Sequence, residues 1–443
     1  MYANMRLKRG LQTIKAALKP VSRQVSVDHH LGTNKANLSL AFVIPWFGKD
    51  SSGGAESDCR DLVVGLKKYR PDIHVDVLST CLRDFNQDWN DNYYKEGVHF
   101  EYGNRVLRFE VEPFNRDYFH QLNARLLGTD KGTLKKGISP LSEEEERYFY
   151  RHMVHSFSMY RFIKKFEDAY DYFVFMPYLF GTTIKGLELV PHKSIVIPCL
   201  HNEAYAYIGL YKSVLEKARG YFFNASGEQE LAGQLADIPK DKQFLLGVQV
   251  DIDVKRHSGD DFRARHGLKR PYIIYVGRKL VGKKLDKLVE QYLGSSLHEI
   301  IDLVVIGRGD LDYSEYWSKG VKDCGFVGEG EKLDAMAGAL ALCQPSDNES
   351  FSIVLMEAWL QGTPSIVNER CAVTTDHVRD SQGGYTYGGT ASLESAVQDL
   401  LDQPEKARNL AENGRRYVVE NYSPQKIIGK FVEYIGKIDG NYA

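Results

Sequence analysis

Short apolar runs separated by helix-length amphipathic stretches recur in two blocks of this chain, and that alternation restricts its fold more than any other feature. Residues 40–45, 73–78, 172–176, 194–198 and 221–225 read as strands buried on both faces, because each run is brief, nearly all apolar and ends in polar or small residues. A second block repeats the pattern at 272–276, 303–306, 324–327, 340–344 and 365–367, with helical spacing from about residue 392 to the end. Strands alternating with helices form parallel sheets covered on both faces. At 443 residues and 43% apolar content the chain is too long for one core, so two α/β domains are expected. Residues 39–250 form the first and 251–425 the second, 426–443 is a helix returning to the first domain, and the charged stretch 250–270 is the linker. Residues 84–150 read as an irregular insertion followed by a helix.

Residues 1–38 stand apart. Arg6, Lys8, Arg9, Lys15, Lys19 and Arg23 precede the first acid, Asp28, while Leu7, Leu11, Ile14 and Leu18 recur at helical spacing. Two readings fit: an amphipathic helix over 5–23 resting on anionic lipid, or a surface helix on its own domain. The formal charge of the whole chain is only −2. No global field then draws it to nucleic acid, and any anion must be held locally. Six cysteines, at 59, 81, 199, 324, 343 and 371, form no C-x-x-C pair and suggest neither zinc ribbon nor disulfide framework. With no run of roughly 18 apolar residues and no signal-peptide core, a cytoplasmic protein is expected, with peripheral membrane contact through the basic arm.

The segment from Pro345 to Pro364 carries the most chemistry. An apolar strand ends, a polar loop holds Glu349, a helix starts near Ser352, Glu357 follows about five residues in, and Gly362-Thr363-Pro364 stops it. Free N–H groups and a partial positive charge suit a helix start to a phosphate. Ser350, Phe351 and Ser352 offer backbone there. Glu357 stands some 7–8 Å along the axis at about 1.5 Å per residue, a separation that spans a sugar and a ribose across a diphosphate. Glu349 would accept from sugar hydroxyls and Glu357 from the ribose; the plainer alternative is one acid complementing the helix dipole and one solvated helix residue. After residues 272–276 come Gly277, Arg278 and Lys283, two cations suited to charge developing on a leaving diphosphate. In the first block Ser51-Ser52-Gly53-Gly54-Ala55-Glu56 follows residues 40–45, and glycines there permit close backbone approach.

These segments resemble glycosyltransferase family 4. The match rests on E-x7-E at Glu349 and Glu357, on Gly277-Arg278 with Lys283 five residues after the arginine, on Gly53-Gly54-x-Glu56, on His201 after residues 194–198, on Ser226 after Asn224, and on Gly307-Arg308-Gly309. Ser350, Ser352 and Lys284 stand where the family often has glycine. The resemblance covers about residues 39–425. It implies a GT-B fold, with a Rossmann-like acceptor domain and a Rossmann-like donor domain facing each other across a cleft, and a retaining transfer from a nucleotide-diphosphate sugar without a metal. Arg278, Lys283, Glu349 and His201 are then the expected reacting-centre residues. Gly53, Gly54, Gly277, Gly307, Ser350, Phe351, Ser352 and Glu357 are the expected donor-binding ones.

More narrowly, the chain looks like bacterial S-layer polyrhamnan rhamnosyltransferases using dTDP-β-L-rhamnose, with a glycan or lipid-linked glycan as acceptor. Asp251-Ile252-Asp253 and Asp310-Leu311-Asp312 are read as solvated loop acids rather than D-x-D metal motifs. Two rivals stay open: a nucleotide-sugar epimerase or phosphorylase on the same fold, and a non-catalytic subunit that binds nucleotide sugar or glycan. A dehydrogenase is disfavoured, since no G-x-G-x-x-G follows the first strand.

Overall fold

The computed structural model describes residues 38–440 apart from 52 and 310. The basic arm, with its proposed contact at 5–23, and the Asp310 position of the second D-x-D segment lie outside the described residues. Eight strands form the first sheet: β1 (Ser39–Ile44), β2 (His74–Thr80), β3 (Gly97–Glu101), β4 (Asn104–Phe109), β5 (Tyr172–Phe175), β6 (Ser194–Val196), β7 (Gly220–Phe223) and β8 (Gln243–Leu245). Their order is β3-β4-β2-β1-β5-β6-β7-β8, and only the β3–β4 hairpin is antiparallel. Six strands form the second sheet: β9 (Tyr272–Val276), β10 (Asp302–Ile306), β11 (Val321–Asp323), β12 (Ala341–Gln344), β13 (Ser365–Asn368) and β14 (Gly384–Tyr387). Their order is β11-β10-β9-β12-β13-β14, all parallel.

Each sheet reverses its strand order once, between β1 and β5 in the first and between β9 and β12 in the second. At such a point the connections leave on opposite faces and open a crevice at the carboxyl ends of the strands, where ligands of open α/β sheets sit. The Gly53-Gly54 loop follows β1, Gly277-Arg278 follows β9, and Glu349 follows β12. All three sequence segments therefore emerge at switch points.

Each sheet carries apolar packing on both faces. One core of the first sheet joins Leu40, Phe42 and Ile44 of β1 to Ile427, Ile428, Phe431 and Ile435 of the last helix, Pro424–Ile438. That helix packs on the Gly54–Tyr69 helix, so the chain returns to its first sheet after completing the second. Among the described residues no helix is long and apolar enough to cross a membrane.

Several local expectations are corrected. Residues 84–150 end in a helix, Glu143–Arg151, as expected, but the part before it is not irregular, because the β3–β4 hairpin and the helix Arg116–Leu127 lie there. The weak strand expected at 324–327 is β11, three residues earlier, where Val321 is buried and Lys322 and Asp323 are polar. Strand β7 ends at Phe223 rather than 225, and the 250–270 linker contains the helix Asp260–His266.

Candidate functional site

The two cations after β9 separate by direction. Lys279 is buried and holds Asp323 at 2.8 Å, behind the sheet edge. Arg278, one residue earlier, is exposed, and its carbonyl accepts the Tyr275 hydroxyl at 2.8 Å. The Tyr275 phenol is pushed up by burial and then by Glu349, and pulled back by Arg278, so both charges lie close to its ring. Lys283 completes the group, its Nζ donating to Glu349 Oε1 at 2.7 Å. Gln344, the last residue of β12, donates from Nε2 to the same Oε1 at 3.2 Å and to Ser352 Oγ at 3.3 Å. Lys283 and Glu349 thus meet at the β9–β12 switch point, where the chain also carries Arg278 just after β9.

Backbone conformation supports the same location. Lys284 and Ser352 have φ of 57° and 79°. Side chains other than glycine adopt that region at a cost of order 1–3 kcal/mol, and such residues cluster at functional sites. Both flank the Lys283–Glu349 pair, at positions where the family often has glycine. Gly307 is fixed by contact instead, because a Cβ there would lie 1.7 Å from the carbonyl oxygen of Gly277. Gly277 and Gly307 therefore sit back to back between β9 and β10.

The helix after Glu349 runs Ile353–Gln361, with Ser352 at its N-cap, no side-chain cap and no acid in its first turn. The Leu355 N–H bonds the Ser352 carbonyl at 3.1 Å, and the N–H groups ahead of it suit an anion. Phe351 was expected to offer its backbone: its ring is buried and packs on His377 and Tyr422 at 4.9 and 4.8 Å, so only its main chain can face a phosphate. Ser352 is also buried, with its hydroxyl turned to Gln344. Glu357 stands apart from Glu349, with a different partner. Lys332 from the helix Glu329–Ala337 lies 2.8 Å from its Oε2, and burial raises its carboxyl while Lys332 opposes the shift. Lys332 and Gln344 were not legible as site residues, since neither belongs to a motif.

The first domain faces this cluster. Gly53 and Gly54 are exposed, and a Cβ at Gly54 would meet nothing within 4 Å. Glu56 accepts the Trp46 indole N–H. Burial raises its carboxyl, while a backbone bond, Trp46 and the Arg278 charge lower it. The charge of Arg278, on the loop after β9, thus reaches Glu56 on the helix after β1. His201 follows β6, with its Nδ1 3.9 Å from the Glu203 carboxylate. Beneath the His201 loop lies a knot that the sequence did not reveal. Glu228 is buried and accepts the N–H groups of Leu200 and Asn224, both at 2.6 Å, and Asn224 Nδ2 donates to buried Asp58 at 3.1 Å. Burial pushes Asp58 up to about 7 and Glu228 up to about 8. Ser226 crosses between the domains, its Oγ donating to Asp376 at 2.8 Å. Asp251 Oδ1 accepts the Asp253 N–H at 3.0 Å, an exposed local turn.

The geometry matches known proteins in two ways. Anabaena HepE in complex with UDP superposes with a TM-score of 0.64 at 13% identity, covering 90% of this chain and 100% of that one. Sucrose-phosphate synthase from Thermosynechococcus elongatus gives 0.65 at 17%, covering 91% and 100%. The fold is GT-B. Within the GT-B chain, residues 259–417 match the family model described as Glycosyl transferases group 1. The MMP alpha-(1->4)-mannosyltransferase of Mycolicibacterium hassiacum is 33% identical over 105 residues, 23% of this chain and 26% of that protein. That match spans about a quarter of the relative's length.

Proposed function

We propose that this protein is a retaining glycosyltransferase that moves a hexosyl group from a nucleotide-diphosphate sugar to a hydroxyl of a glycan or lipid-linked glycan. The observation that carries the reading is the Lys283–Glu349 pair at 2.7 Å, set with Arg278 at a switch point whose helix start is open to an anion. In this reading the helix N–H groups, Arg278 and Lys283 hold the diphosphate, and Glu349 accepts from the donor sugar. As the bond from the anomeric carbon to the diphosphate oxygen breaks, the acceptor oxygen bonds to the same face of that carbon. Its proton passes to a diphosphate oxygen, and the nucleoside diphosphate leaves. Fixed cations act there because charge develops on the leaving oxygen. His201 contacts the sugar or its acceptor, and no metal is required by the residues named.

The donor we propose is dTDP-β-L-rhamnose, for assembly of a cell-surface polyrhamnan. That choice rests on the resemblance of the sequence to rhamnosyltransferases. HepE has also been solved in complex with UDP-glucose, so uridine donors are the direct comparison. A thermal-shift panel of dTDP-rhamnose, UDP-glucose and GDP-mannose tests both levels, since a ligand at about 100 times its Kd adds about 2.7 kcal/mol of stability. A shift with none of the three removes the transferase reading; a larger shift with a uridine or guanosine donor removes only the rhamnose assignment. Incubation of labelled donor with a glycan acceptor separates transfer, which lengthens the glycan by one sugar, from epimerisation or mere binding.

A further inference from the structure

At the carboxyl end of β2 the chain turns through Arg83, Asp84 and Phe85, beside the loop that follows β1. Phe85 is 48% exposed. Lone apolar side chains at a surface are ordinary, but this one is immobilised from several directions. Its ring packs edgewise on Trp46 and Trp89, with centroids 5.9 and 5.8 Å away, and the Trp89 indole N–H donates to its carbonyl at 3.0 Å. Asp84 Oδ1 accepts the N–H groups of Asn86 and Gln87 at 2.8 and 3.2 Å, and Ser51 Oγ donates to the Arg83 carbonyl at 2.6 Å. The turn is thereby bolted to the loop that carries Gly53 and Gly54.

It borders the loop that follows β1, at the carboxyl end of the first sheet. Trp46, beneath Phe85, donates to Glu56, and Glu56 lies within the electrostatic reach of both Asp84 and Arg278. A rigid aromatic face with neighbouring carboxylate, guanidinium and amide groups, here Asp84, Arg83 and Asn86, matches one class of molecule well. A pyranose ring has an apolar C–H face that lies on an aromatic ring and a rim of hydroxyls that need polar partners. Ordering such a face in advance removes the entropy cost of fixing it on binding.

We infer that Phe85, seated on Trp46 and Trp89, is the stacking platform for an acceptor pyranose on the first-domain side of the cleft. The inference rests on the transferase reading for the word acceptor, but the sugar site itself does not. Full-length protein is probed with methyl α-D-glucopyranoside and methyl α-L-rhamnopyranoside by saturation-transfer NMR, and with UDP, dTDP and GDP by calorimetry. The expected result is transfer to the ring C–H protons in the wild type, at least a fivefold loss in Phe85→Ala, and retention in Phe85→Trp. Nucleotide affinity and circular dichroism should stay within twofold and unchanged, respectively, in both variants. Absence of pyranoside signal in the wild type, or an undiminished signal in Phe85→Ala, overturns the platform. A platform signal that disappears in Phe85→Ala while none of the three nucleotides binds upholds the sugar site and overturns the transferase reading instead.

Discussion

Lys283 and Glu349 lie 66 residues apart in sequence, yet their charged atoms meet at 2.7 Å. The pair closes the gap between the loop after β9 and the loop after β12, and Gln344 holds the carboxylate from the sheet side. In a donor complex the ammonium would be shared between this carboxylate and a phosphate, so the two residues act as one unit. Lys283→Ala should lower kcat/KM by about 10²–10³, the range for removing one preorganised donor at a developing anion. A double variant with Glu349→Ala should lose much less than the product of the single losses, because residues in contact are coupled. Turnover of a labelled nucleotide sugar measures both, and a simple product would argue that the two act separately.

Glu357 answers to a different cation. Lys332 is half-buried against it, 2.8 Å away, and removing one partner leaves a largely shielded charge uncompensated. Lys332→Met should destabilise the fold by about 1–2 kcal/mol, between the values for exposed and fully buried pairs. Lys332→Arg should recover most of that loss. Urea unfolding of the three proteins is the check, with an unchanged Lys332→Met midpoint as the contrary result.

Lys284 holds φ at 57°, a conformation glycine adopts without a Cβ penalty. Its ammonium reaches Asp347 only at 3.8 Å, an exposed contact of little worth. Lys284→Gly should therefore stabilise the protein by about 0.5–1 kcal/mol, and Lys284→Val should destabilise it by about 1–2 kcal/mol. Thermal melts of the two variants should move in opposite directions.

Glu228 makes the pH prediction. Its folded carboxyl titrates near 8, above the ordinary value, because burial outweighs the bonds from Leu200 and Asn224. The folded state then binds more protons than the unfolded state between those values. Stability from this group is full below the unfolded pKa and is lost as pH rises toward about 8. Asp58, raised to about 7, adds to the same slope, and Cys199 and Cys59 face the pair without changing its sign. Melting temperature should fall between pH 5 and 8, and Glu228→Gln should flatten the slope. Glu228→Gln should also lower stability at pH 5 by about 1–3 kcal/mol, since the two N–H groups bond different oxygens and the amide NH2 that replaces one of them would oppose its N–H.

What the sequence disclosed follows from how each feature is encoded. Gly277-Arg278, Lys283 and Glu349 were legible because strand, loop and helix lie adjacent in the chain, and the structure brings them to one switch point. The place of the Phe351 ring was not legible because its neighbours are polar, and the fold turns it into a core with His377 and Tyr422. Glu228 was hidden because an acid in a polar helical stretch reads as solvated, and only three-dimensional packing buries it under Leu200 and Asn224. Strands β3 and β4 escaped for a related reason. Phe100 is 73% exposed on a hairpin edge, so apolar content there does not follow the inward-outward alternation that marks a strand.

The last helix has a consequence for biosynthesis. Ile427, Ile428, Phe431 and Ile435 complete a core begun by Leu40, Phe42 and Ile44, nearly four hundred residues earlier on the ribosome. Domains generally fold in order of their emergence, but here the half translated first is sealed last. Its nascent β1 surface must wait, uncovered, until translation of the other half is over, which makes that interval the period when the newborn chain most needs shielding from its neighbours.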